Sequence, residues 1–152
     1  MSEIDPRNPN TGGGAQPTVI LIEPQLGENI GTAARAMANF GLSDMRLVNP
    51  RDGWPNERAH KAASGADWII ENARLYDEPP KAVLDLNYVY ATTARPRGMV
   101  KTVITPEQAG ADMRRRIAAG QKLGILFGRE RVGLHNEEIK LADVIVMEIG
   151  RA

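Results

Sequence analysis

The chain predicts an α/β fold, a parallel sheet with helices on both faces. Strand-like and helix-like patterns alternate along its length, the order that βαβ units produce. The strand-like runs are short, continuous and rich in Val, Ile and Leu, as strands covered on both faces are. With 152 residues, 42% of them hydrophobic and 25% charged, the chain can bury the core of one domain.

The elements follow in order. Residues 18–22 (TVILI) are β-branched and open the sheet, and Pro24 and Gly27 turn the chain. Residues 30–40 favour helix through their Ala, Met and Arg content, with Gly41 at the C-cap glycine position. Residues 45–48 form a second strand ended by Asn49 and Pro50, and 57–64 an Ala-containing polar helix. Residues 68–70 (WII) fit a strand or a buried turn equally, and 77–86 are weakly helical after Pro79 and Pro80. Strand character returns at 88–91, then a helix at 106–119 with Thr105 as N-cap and Pro106 in its first turn. A strand at 122–127, a short helix at 136–141 and a strand at 144–149 complete the pattern.

Composition narrows the function. Nineteen basic and nineteen acidic side chains cancel, so any polyanion site must be a local patch. The chain has no cysteine, which removes disulfides, thiolate catalysis and cysteine-based zinc. His60 and His135 stand alone and show no metal-ligand spacing, so no metal is expected. Residues 1–16 are polar, with Gly12, Gly13 and Gly14 and no apolar signal-peptide core; they are expected to be a flexible tail before a domain at 17–152. No run is apolar enough for a membrane span, and a cytoplasmic protein is expected.

Three loops after strand ends carry unusual residues, where open α/β sheets place ligands. In residues 23–35 (EPQLGENIGTAAR), Asn29 is either a helix N-cap with Arg35 a solvated neighbour, or both belong to an anion site. Gly27 and Gly31 are spaced GxxxG and not GxGxxG, and Asn49 stands where a dinucleotide fold has an acid, which argues against a nucleotide-binding oxidoreductase. Residues 92–101 hold Arg95, Arg97 and Lys101, either a solubilising surface or a phosphate-facing patch. Residues 126–134 (LFGRERVGL) end an apolar strand in glycines and charges. There Gly128 and Gly133 allow close backbone approach to a ligand, and Arg129, Glu130 and Arg131 form either a site or a surface ion-pair cluster. Trp54 and His60 read as a partly buried ring and a helix-surface imidazole.

Together, NIGTAARAMANFG at 29–41, LVNP at 47–50, ATTAR at 91–95 and LFGRERVGLHNEEI at 126–139 resemble the SpoU/TrmH branch of the SPOUT RNA methyltransferases, and within it the TrmJ-type tRNA 2′-O-methyltransferases. The resemblance runs from about residue 17 to 147. It implies a trefoil-knotted fold, S-adenosylmethionine as cofactor, a homodimer in contact through the 30–40 helix, and methylation of a ribose 2′-hydroxyl in a tRNA anticodon loop.

Asn29 and Arg35 match the family's first motif, and Gly128, Arg129, Glu130 and Gly133 its second, so Asn29, Arg35 and Glu130 are the catalytic candidates. Thr92, Thr93, Ala94, Phe127, Gly128, Arg129, Glu130, Gly133, Leu134, Met147 and Ile149 are the residues expected to frame the cofactor. Arg95, Arg97 and Lys101 are the candidates for tRNA phosphates. The third motif, a proline-containing loop and a helix opening Ser-Leu-Asn, has no counterpart after Met147. The expectation is therefore a C-terminally truncated member with an incomplete knot, whose alternative is an inactive scaffold or binding fragment.

Overall fold

The computed structural model describes residues 16–94 and 101–147. Seven strands form one sheet, every pair parallel, in the order β3-β2-β1-β6-β4-β7-β5. The strands are β1 (Thr18–Ile22), β2 (Met45–Val48), β3 (Arg74–Tyr76), β4 (Tyr88–Thr93), β5 (Val103–Ile104), β6 (Leu123–Phe127) and β7 (Val144–Met147). Between them lie α1 (Gly27–Asn39), α2 (Glu57–Ala63), α3 (Asp67–Glu71), α4 (Pro79–Val83), α5 (Pro106–Ala118) and α6 (Asn136–Ile139). The chain winds outward from β1 through β2 to β3, then crosses to β4 on the far side of β6. The crevice of such a sheet opens at the carboxyl ends of the strands around this reversal.

The period-2 alternation of each strand sorts its side chains to the two faces. Val19, Met45 and Leu47 pack with Ile30, Ala34 and Met37 of α1 and with α2 and α3, and Tyr90, Leu123 and Val144 pack under Ala109 of α5 on that same face. Ile20, Ile22, Val48, Val89 and Leu126 point the other way, onto Ala82 of α4 and Ala142. Helices on both faces of a parallel sheet are thus observed as predicted.

The GxxxG spacing has a packing cause. A Cβ at Gly31 would lie 2.3 Å from the Ala59 carbonyl oxygen, and one at Gly27 2.3 Å from Asn56 Oδ1. The two glycines let α1 lie directly against α2. Several boundaries depart from the sequence reading. Helix α1 starts at Gly27, so Leu26 is the N-cap and Asn29 lies inside the helix. Residues 68–70 belong to a helix, and the edge strands β3 and β5 are too short to have announced themselves by periodicity. Gln16, assigned to the tail, is anchored: its side chain accepts from Ser43 N at 2.5 Å and donates to Gly41 O at 3.3 Å. Gly41 (φ 75°) and the Thr105 cap, with Gln108 completing a capping box, stand where expected. The expectations on residues 1–15, Arg95, Arg97, Ile149 and the chain end fall outside the described residues.

Candidate active site

After β6 the chain makes a turn tied to itself. Arg129 N donates to Gly133 O at 3.2 Å, Gly133 N returns to Arg129 O at 2.7 Å, and Val132 N reaches Glu130 O at 2.8 Å. Gly128 makes the turn possible, since a Cβ there would sit 2.2 Å from the Gly133 carbonyl carbon. Gly133 takes φ 78°, which glycine adopts freely. Arg131 takes φ 73°, a conformation that costs an L-residue about 1–2 kcal/mol.

This turn delivers Glu130 to the start of α1. Its Oε1 accepts from Gln25 N at 2.9 Å, and its Oε2 accepts from Asn29 Nδ2 at 2.5 Å and Leu26 N at 3.5 Å. Leu26 offers α1 no side-chain cap, so the carboxylate from a distant turn supplies the negative charge that a helix N-terminus favours. Burial pushes the Glu130 carboxyl up, but the donations from Asn29 and the backbone N–H groups outweigh it and hold the group below the usual carboxylate range. Asn29 is therefore not a cap. Its amide is spent on Glu130.

Arg129, 8% exposed, faces inward. Nε donates to Glu23 Oε1 at 3.1 Å, Nη1 to Glu138 Oε1 at 2.9 Å and Gly133 O at 3.3 Å, and Nη2 to Glu138 Oε2 at 2.6 Å. Glu138 also takes the His135 N–H at 2.7 Å, so one buried fork joins the end of β1, the turn and α6. The bonds to Glu138 and Glu23, stronger than the opposing desolvation, raise the Arg129 pKa further. Arg129 is not part of a surface ion-pair cluster.

Around this scaffold lies a cavity of about 760 Å3, within the size range of small-molecule sites. Thr92, Thr93 and Ala94 from the end of β4 and Phe127, Gly128, Arg129, Glu130, Gly133 and Leu134 line it, joined by Arg131, Val132, Asn136 and Ile139. Nine of the cofactor candidates thus converge on one space. Thr92 Oγ1 is already donated to Leu126 O at 2.8 Å, so it braces β4 against β6. Met147, paired with Thr93 in register, borders this region without lining the cavity. The lining fits a nucleoside that carries charged groups better than a metal complex: it mixes apolar walls, strand-end backbone, hydroxyls and the charged Arg129, Glu130 and Arg131, and no group of three or more metal-ligating side chains exists among the described residues. Lys101 is half-buried at the far end of the 95–101 stretch.

Arg35 is not brought to Glu130. Six residues beyond Asn29 in α1, it sits about 120° around the helix from it, across the outer face. It is exposed and has no hydrogen-bond or ion-pair partner among the described residues.

Sequence reasoning missed Glu23 and Glu138. Glu138 is one of two adjacent glutamates, and no local pattern separates it from the exposed Glu137. Glu23 takes φ 46°, a conformation its residue type does not announce.

Residues 16–149 match the SpoU rRNA Methylase family. The chain is 51% identical to the crystal structure of TrmJ from Z. mobilis ZM4, which superposes with a TM-score of 0.84 over 90% of this chain and 60% of that one. It is 40% identical over 121 residues, 80% of this chain and 48% of the relative, to an uncharacterized tRNA/rRNA methyltransferase of Haemophilus influenzae. It is 37% identical over 132 residues, 85% of this chain and 56% of the relative, to the tRNA (cytidine-2′-O-)-methyltransferase TrmJ of Methanocaldococcus jannaschii. The chain spans about half the length of the curated relatives it matches.

Proposed function

The chain belongs to the SpoU rRNA Methylase family, and from that premise we propose that it methylates a ribose 2′-hydroxyl of tRNA with S-adenosylmethionine as donor. The observation that carries this reading is the cavity of about 760 Å3 ringed by Thr92 to Ala94 and Phe127 to Leu134, the residues the family's motifs assign to the cofactor. β4 pairs with β6 through Tyr88–Ala91 and with β7 through Tyr90–Thr93, so the carboxyl ends of these three parallel strands lie side by side at one end of the sheet. The trefoil knot and the closing of the cofactor site by residues near Met147 and Ile149 belong to the same proposal.

The cofactor supplies a methyl group on a sulfonium for in-line displacement. What the chain must add is alignment of the acceptor and stabilisation of the oxygen as it loses its proton. Glu130 and Asn29 set the start of α1 relative to the cavity. Glu130 accepts bonds on both oxygens and is held ionised by them, so it acts as a positioning residue. Arg35 is the catalytic residue of this reading. A guanidinium holds its proton too tightly to be a good base but is an effective fork for a phosphate and an emerging alkoxide.

Because Arg35 faces away from the Asn29 side of α1, it serves the cavity of a second copy, in a homodimer contacting through the outer face of α1. Leu26 and Phe40, 43% and 81% exposed at the two ends of that helix, are apolar surface available to such a contact. Arg95, Arg97 and Lys101 hold tRNA phosphates, and an anticodon-loop nucleotide in the cytoplasm is the target.

Incubation with S-adenosylmethionine and tRNA, followed by nucleoside analysis, tests the reading. A 2′-O-methylated nucleoside is expected. Methyl on a base, or none despite cofactor binding, contradicts it, the latter pointing to a binding fragment.

A further inference from the structure

The turn that delivers Glu130 to α1 carries another charge. Arg129 gives its guanidinium to Glu23, Gly133 and Glu138, and Glu130 gives its carboxylate to Asn29 and the backbone of Gln25 and Leu26. Arg131, between the buried fork and the exposed Val132, lines the same cavity, yet it is exposed and has no hydrogen-bond or ion-pair partner among the described residues. It is the cation among the described lining residues whose charge nothing offsets.

Its backbone sharpens the point. At φ 73° Arg131 occupies a left-handed position where glycine would be unstrained, in a turn that already uses Gly128 and Gly133. Local strain of this kind clusters at ligand sites. We propose that Arg131 binds the carboxylate of the cofactor's amino-acid moiety, a proposal that rests on the cofactor reading above. The methionine end of that cofactor is a zwitterion. A guanidinium fork matches a carboxylate in two parallel bonds. An RNA phosphate would satisfy the same fork, but Arg131 lines the same cavity as Phe127 and Leu134, residues of the proposed cofactor site, which favours the small ligand.

The test is calorimetric titration of the full chain and its Arg131→Gly variant with two probes: S-adenosylhomocysteine, which carries the carboxylate, and 5′-methylthioadenosine, which lacks the amino acid. Glycine relieves the strained φ while removing the guanidinium, so the variant is expected to melt no lower than the parent. We expect its affinity for S-adenosylhomocysteine to fall about tenfold or more, with 5′-methylthioadenosine unchanged. Arg131→Lys is expected to recover part of the loss, a single charge replacing the fork. Equal affinities of parent and variant for both probes overturn the proposal, as does an equal loss for both. A variant that keeps S-adenosylhomocysteine but loses salt-dependent RNA binding assigns Arg131 to phosphate instead. If the parent binds neither probe, the cofactor reading itself fails, and this proposal with it.

Discussion

Arg129 in the turn after β6 is 8% exposed and gives every guanidinium nitrogen to Glu23, Glu138 or Gly133, whereas Arg35 on the outer face of α1 is exposed and bonds no described residue. Both arginines lie in stretches that resemble the family's motifs, and under the proposed function their surroundings give them opposite work. A buried arginine with two carboxylates holds backbone in place, and its removal leaves charges without partners. An exposed, unpaired arginine contributes little to stability and keeps its donors for a ligand. Motif membership therefore does not distinguish scaffold from chemistry. The hydrogen-bond inventory does.

The largest expected effect lies on the scaffold side. Arg129→Met should destabilise the fold by about 3–5 kcal/mol, because Glu138 would remain buried without its partner. Thermal melting should fall by on the order of 10 °C, and a fall of a degree or two would mean the fork is dispensable. Next comes Arg35→Ala. Methyl transfer is expected to drop about 10²–10³-fold, as when one donor to a developing oxyanion is removed, with melting unchanged. A parallel loss of stability would erase the contrast between the two arginines, and an Arg35→Lys variant with most of its activity would argue against the fork geometry. Gly128→Ala should cost about 1–3 kcal/mol and weaken cofactor binding together, since the added Cβ meets the Gly133 and Leu134 backbone and the turn must open.

The acidic side of the comparison responds to pH. Glu130 and Glu138 both have carboxyl groups held below their ordinary range, by Asn29 and backbone donors in one case and chiefly by Arg129 in the other, against the opposing effect of burial. Depressed folded-state values mean that their contribution is complete above the unfolded glutamate range near about 4.3 and is lost as pH falls through the folded values. Melting temperature should therefore be flat through neutral pH and drop below about pH 4, and Glu138→Gln should shrink that acid-side drop. The smallest effect concerns Arg95, Arg97 and Lys101. Each neutralisation should reduce the salt slope of RNA binding by about 0.7, and an unchanged slope would remove that residue from the phosphate contacts.

Much of this was legible in the sequence, unevenly. The central strands announced themselves because TVILI and LGILF are buried on both faces, and Gly41 and Thr105 because terminal geometry leaves few residue choices. The turn at 128–134 was legible as a place, since apolar character stops at Gly128. What each charge does there was not. Glu138 and Glu23 meet Arg129 only through tertiary folding, from nine and 106 residues away. Asn29 looked like a cap because asparagine caps are common, yet α1 begins two residues earlier and takes its cap from Glu130, 101 residues on. The edge strands β3 and β5 have three and two residues, too few for any period to appear.

The most direct test of the central claim is calorimetric titration of the chain and its Arg35→Ala variant with S-adenosylhomocysteine, side by side. The same saturable isotherm is expected for both, because the cavity is built by the fork at Arg129 and the strand ends, while Arg35 reaches a partner's cavity to meet the RNA and not the cofactor. Absence of binding by the unaltered chain would contradict the cofactor cavity, and loss of binding in the variant alone would place Arg35 in the cofactor's site and end the division between scaffold and chemistry.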